Sequence, residues 1–137
     1  MIKAVLVERG TDPMGQGHYG ASRGNRKHVG IDYCAFPGSG ICSNVAGTVT
    51  KVGYPYASTP TYRYVEITTP DMYRHRFFYV FPSVKRGQHI DAGDVIGFAQ
   101  DIASHWGGGM KNHIHYEIML PGTGREYVNP EDYWDVG

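Results

Sequence analysis

The sequence predicts an all-β domain, an antiparallel β-sandwich or partly open barrel with little helix. Three observations carry that reading. Nineteen glycines, eight prolines and eleven tyrosines in 137 residues favour strands and turns over helices. Short runs with strand-type residues follow one another, divided by turn signals. No stretch shows the apolar period of a long amphipathic helix. The length is that of a single domain, residues 1–137, with room for one core.

Taken in order, the first strand is expected over residues 4–7. This start resembles the beginning of a signal peptide, but Glu8 and Arg9 end the apolar run too early. The reading is therefore that the chain has no export signal of its own and is carried or released to where it acts. Further strands are expected over residues 31–35, 41–43, 47–52, 62–68, 73–81, 95–99 and 112–119. Thr69-Pro70-Asp71-Met72 joins two of them as a hairpin. Cys34 and Cys42 flank the turn at residues 36–40, where either a cross-strand disulfide or two free thiols is compatible with the spacing. Residues 84–97 place glycines at 87, 93 and 97 among apolar residues, a compact scaffold between short strands. Two short helical turns are expected, over residues 101–106 and 130–134, the second with Asn129 as N-cap and Pro130 at its first position.

Lysine plus arginine equals aspartate plus glutamate at 13 each, so the formal charge is zero. That balance argues against non-specific nucleic-acid binding, which needs concentrated positive charge. No apolar run reaches the length of a membrane span. The local cluster Arg74-His75-Arg76 reads as a solvated strand face.

The residues that point to chemistry are His113-Ile114-His115 and, far upstream, His28-Val29-Gly30-Ile31-Asp32. The first set lies in a strand-type run, so His113, His115 and Glu117 share one face and both imidazoles can point into one site. The second set needs a bend. Its residues are poor helix formers as a group, and in an extended strand His28 and Asp32 would stand about 13 Å apart. Gly30 permits the bend that folds His28 back toward Asp32. Three imidazoles and a carboxylate form a nitrogen and oxygen donor set suited to zinc.

With these motifs in this order, the chain resembles the lysostaphin-type zinc metallopeptidases, the peptidoglycan-cutting endopeptidases of bacteria and their phages. The resemblance runs from about Arg26 to Glu117 and includes residues 27–32, 46–49, 85–97 and 113–117. It implies a small all-β domain with a groove along one sheet, and a zinc held by His28, Asp32 and His115 with one position open. It further implies that His113 acts on the water or the oxyanion. Active members carry a second catalytic histidine in a Tyr-x-His strand ending; here Tyr79 matches and Phe81 takes the place of the histidine. A phenyl ring neither donates to an oxyanion nor accepts a proton. His75 lies six residues away, roughly 20 Å along a strand, and does not substitute. The resemblance extends to leukocyte cell-derived chemotaxin, a secreted non-peptidase relative without this histidine, although two cysteines do not make the disulfide framework of such a protein.

Two functions follow as expectations. One is a zinc-dependent endopeptidase cutting the peptide cross-bridges of peptidoglycan, weakened by Phe81, of phage or bacterial origin, acting at the cell wall or within a virion. The other is a zinc-stabilised structural or cell-wall-binding domain, for example a component of a phage tail. Tyr54, Tyr56, Tyr62 and Tyr64 are candidates to line a groove or simply to pack.

Overall fold

The computed structural model describes residues 30–103, 112–122, 126–128 and 130, together with five short strand segments before residue 30. Those five are β1 (Val7–Glu8), β2 (Thr11–Asp12), β3 (Gly15–Gln16), β4 (Ser22–Arg23) and β5 (Arg26–Lys27). Then follow β6 (Ile31–Cys34), β7 (Gly40–Cys42), β8 (Gly47–Gly53), β9 (Tyr64–Thr68) and β10 (Arg74–Phe78). The remaining strands are β11 (Val80–Pro82), β12 (His89–Ile90), β13 (Val95–Ala99), β14 (His113–Met119) and β15 (Tyr127–Val128). All pairings are antiparallel.

An eight-stranded sheet runs β1-β6-β14-β10-β9-β8-β12, with β15 also paired to β14. A three-stranded sheet, β11-β13-β7, packs against it, and β2-β3 and β4-β5 are separate hairpins. The core follows from alternation along the strands. Ile114, Tyr116 and Ile118 of β14, Phe77 of β10, Val65 and Ile67 of β9 turn to one side of the large sheet and are buried. They meet Ile41, Val80, Ile96 and Ala99 of the small sheet. Core formation therefore uses one face of the large sheet and leaves the other for His113, His115, Glu117, Arg76 and Glu66.

The expected hairpin is present. Met72 donates its N–H to Thr69 O (2.8 Å), Thr69 donates to Tyr73 O (3.0 Å), and Thr69 Oγ1 bonds Asp71. Cys34 and Cys42 are not disulfide-bonded to each other and lie in different sheets. The run expected as one strand over 73–81 is two. Tyr79 has φ 66°, which breaks the pairing and passes the chain from the large sheet to the small one. Arg74-His75-Arg76 is not a solvated face: His75 is fully buried on the core side, and the half-buried Arg76 is ion-paired on the other. Adjacent strand residues point oppositely, so three neighbouring charges cannot share one environment. Ala103 and Pro130 are helical, but most of the two expected helical turns, and residues 4–6, lie outside the described residues. No helix among the described residues is long and apolar enough to cross a membrane.

Candidate metal centre and active site

Two neighbouring strands build the centre. In the register of β6 with β14, Asp32 stands opposite His115 and Cys34 opposite His113. Their alternation sends Asp32, His113 and His115 to the face away from the core. His115 Nδ1 lies 3.0 Å from Asp32 Oδ1, and His113 Nε2 lies 3.5 Å from Asp32 Oδ2. His115 Nε2 meets Glu117 Oε1 at 2.9 Å. Asp32, His113 and Glu117 are buried, while His115 keeps partial exposure.

Gly30 is required here for a reason other than conformation alone. The chain does bend at Gly30. A Cβ there would also stand 2.4 Å from Tyr116 O and 2.8 Å from His115 Cε1. Only glycine lets β14 and the His115 ring approach the entry to β6 this closely.

Behind the histidines runs a buried polar chain that sequence reasoning missed. Arg76 Nε donates to Glu66 Oε2 (2.7 Å), and its other arm lies 3.7 Å from Glu117 Oε2. Thr50 Oγ1 donates to Glu66 Oε1 (2.7 Å). Burial would raise the Glu66 pKa, but the bonds from Arg76 and Thr50 outweigh it and hold the carboxyl below its ordinary range. Burial alone would likewise lower His115. Its bonds to Asp32 and Glu117, with their charges, raise it to about 9. The common face of residues 113, 115 and 117 was visible in the sequence; the assignment of Glu117 to hold His115 was not.

The donor set fits zinc. Two donors about 2.0–2.2 Å from a tetrahedral ion lie roughly 3.3–3.6 Å apart, a few tenths of an ångström beyond the 3.0 Å between Asp32 Oδ1 and His115 Nδ1. Glu117 on Nε2 stands where an outer carboxylate would fix the imidazole if Nδ1 were to bind a metal. Among the described residues no group of three or more His, Cys, Asp and Glu forms a metal cage. The third expected ligand, His28, lies outside them.

Aromatic residues form the neighbourhood. Phe78 sits edge-on to His115 (5.3 Å between centroids) and stacks on Tyr64 (5.0 Å). Tyr79 packs edge-on against His113, at 5.8 Å between centroids and nearly perpendicular. Its hydroxyl bonds that of Tyr56 (2.6 Å). Phe81 is 54% exposed, and the Arg63 guanidinium lies 5.9 Å from its ring and 4.4 Å from that of Tyr54. Of the four candidate groove tyrosines, Tyr62 is buried scaffold; Tyr54 and Tyr56 are exposed; Tyr64 lies on the site-bearing face.

The model of Peptidase family M23 matches residues 26–130. The fold is shared with the catalytic domain of the prophage-encoded M23 protein EnpA from Enterococcus faecalis, solved as an alanine-to-histidine variant. That match has a TM-score of 0.66 at 23% identity, covering 93% of this chain and 91% of that one. The catalytic domain of the antimicrobial peptidase lysostaphin from Staphylococcus simulans gives 0.69 at 18%, covering 88% and 89%. A zinc-containing peptidase from Vibrio cholerae gives 0.58 at 23%, covering 82% of this chain and 36% of that one.

Proposed function

Because the chain belongs to peptidase family M23, we propose that it is a zinc-dependent endopeptidase that hydrolyses peptide cross-bridges of bacterial peptidoglycan. The observation that carries this reading is the convergence of Asp32, His113 and His115 on the face of the large sheet that the core leaves uncovered. Asp32, His115 and His28 would hold the ion. Zinc, when bound, supplies Lewis acidity toward the scissile carbonyl and lowers the pKa of a water. Glu117 accepts the Nε2 proton of His115 and so keeps Nδ1 as the binding atom. His113 presents its Nε2 edge to Asp32, and this is the atom that holds or moves the proton of the water. Its place of action is the bacterial cell wall or a virion, reached as part of a phage tail or another carrier.

Phe81 supports weak turnover, since it supplies no proton or oxyanion donor where active members have histidine. It is also what favours the second reading, a zinc-stabilised structural or cell-wall-binding domain. The test is hydrolysis of purified cell walls by metal-replete protein with and without a chelator, beside Phe81→His at equal metal content. The expected result is slow, chelator-sensitive hydrolysis, raised by about an order of magnitude or more in the variant. Absence of hydrolysis from both proteins would favour the structural or cell-wall-binding domain instead.

A further inference from the structure

A row of facing residues crosses the sheet from the site: His115 on β14 opposes Phe78 on β10, Phe78 opposes Tyr64 on β9, and Tyr64 opposes Gly53 on β8. The stacked Phe78 and Tyr64 rings floor this path. At its far end lies an open notch of about 300 Å³ lined by Thr50, Lys51, Val52, Gly53, Tyr64 and Arg86. Gly53 leaves the Tyr64 ring bare on that side, since a Cβ there would stand 2.8 Å from it. Lys51 and Arg86 are both exposed cations, and no described carboxylate is ion-paired with either. Glu66, opposite Lys51 in the register, already has its oxygens bonded by Thr50 and Arg76. The backbone just after Arg86 is tied to β8: Gly87, at φ 91°, donates to Val49 O (2.7 Å), and Val49 donates to Gln88 O (2.9 Å).

We propose that this notch binds a free carboxylate of the wall peptide while the bond to be cut lies at the Asp32–His115 site. The proposal rests on the endopeptidase reading above. Three strand spacings separate β14 from β8, about 14 Å, which is the reach of about four extended residues. A peptide lying across the strands on the aromatic floor therefore brings a carboxylate within range of two exposed cations, of which Lys51 feels the charge of Glu66 without being ion-paired to it and neither is ion-paired among the described residues. Charge-assisted bonds of this kind distinguish an acid from its amide more sharply than neutral ones do.

The test is calorimetric binding of two synthetic tetrapeptides, L-Ala-D-isoglutamyl-L-Lys-D-Ala with the isoglutamyl α-carboxyl free or amidated. Both carry an amidated C-terminus. The protein is the full chain, zinc-loaded, with His113→Ala to prevent turnover. The free acid should bind about tenfold more tightly, and the preference should shrink with added salt. It should vanish when Lys51→Gln and Arg86→Gln are introduced together. Equal affinities, no binding of either peptide, or a preference that survives the double substitution overturns the proposal. Cell-wall hydrolysis by the parent protein without this preference removes the carboxylate site and leaves the endopeptidase reading standing. The preference without hydrolysis does the reverse.

Discussion

His115 is gripped through both ring nitrogens, by Asp32 on Nδ1 and Glu117 on Nε2, and the second grip depends on the first carboxylate outside the histidine motif. Glu117→Gln keeps the shape but roughly halves the acceptor's charge-assisted hold on the ring and removes the longer of the two ion pairs of Arg76, leaving the one to Glu66. Zinc affinity, read by competition with a chromogenic chelator, should fall about tenfold or more; an unchanged affinity would show that Glu117 does not orient the ligand. Gly30→Ala acts on the same centre through the backbone. The added methyl meets Tyr116 O, which cannot swing aside as a side chain could. Denaturant unfolding should register a loss of about 1–3 kcal/mol, typical of overpacking, and a parent-like midpoint would mean the strands part more easily than their contact implies. The common face of His113, His115 and Glu117 was legible because the motif is a local spacing, whereas the approach of Asp32 depends on the pairing of β6 with β14. The demand on Gly30 was only half legible: a bend is local, but the crowding comes from residues more than eighty positions downstream. Arg76 was misread for the same reason, its partners Glu66 and Glu117 lying on other strands.

At the scale of elements, strands declared themselves through alternation and turn residues, and the expected runs at 47–52, 95–99 and 112–119 fall within a residue of those observed. The break at Tyr79 was not legible. Residues 73–81 alternate well enough to pass for one strand, and nothing local marks a tyrosine for the left-handed region that favours glycine. What holds it there is tertiary: its N–H bonds Arg63 O (2.8 Å) and its carbonyl accepts from Gln100 (2.9 Å). The β9–β10 hairpin contains a second such residue, Met72, with φ 71° and its side chain 61% exposed. Asparagine tolerates this conformation better than methionine, and little packing is lost at an exposed site. Met72→Asn should therefore stabilise the hairpin by roughly 0.5–1 kcal/mol and raise the melting temperature by about 2–4 °C. A lowered melting temperature would show that the methionine side chain contributes contacts that outweigh its backbone cost.

For the whole molecule, the two faces of the large sheet divide the labour: one face is core, the other holds the site. Composition made the all-β class legible, but which strands neighbour one another is set by long-range pairing such as β6 with β14. The core face carries one titratable group with consequences for the entire fold. His75 is fully buried, its Nδ1 2.6 Å from the Tyr116 hydroxyl, which also accepts from Asn44 Nδ2 (3.0 Å). The neutral ring is thus held through Nδ1 against the Tyr116 hydroxyl. Desolvation lowers the His75 pKa from 6.5 to about 4, opposed weakly by the charge of Asp71. The unfolded chain takes up this proton near pH 6.5 and the native protein resists it until about pH 4. This contribution is thus complete above pH 6.5, declines as the pH falls through that window, and levels off below it. A shift of this size corresponds to about 3 kcal/mol, a large part of the stability of a typical domain. Urea unfolding of the parent and His75→Gln at pH 7, 5.5 and 4.5 isolates the term, because every other titrating group is common to both. Glutamine still offers an acceptor to Tyr116 and does not titrate. The parent's advantage over the variant should shrink steadily toward pH 4.5; a difference that stays constant across the three values would mean that His75 is protonated in the native core or that the core opens before it titrates.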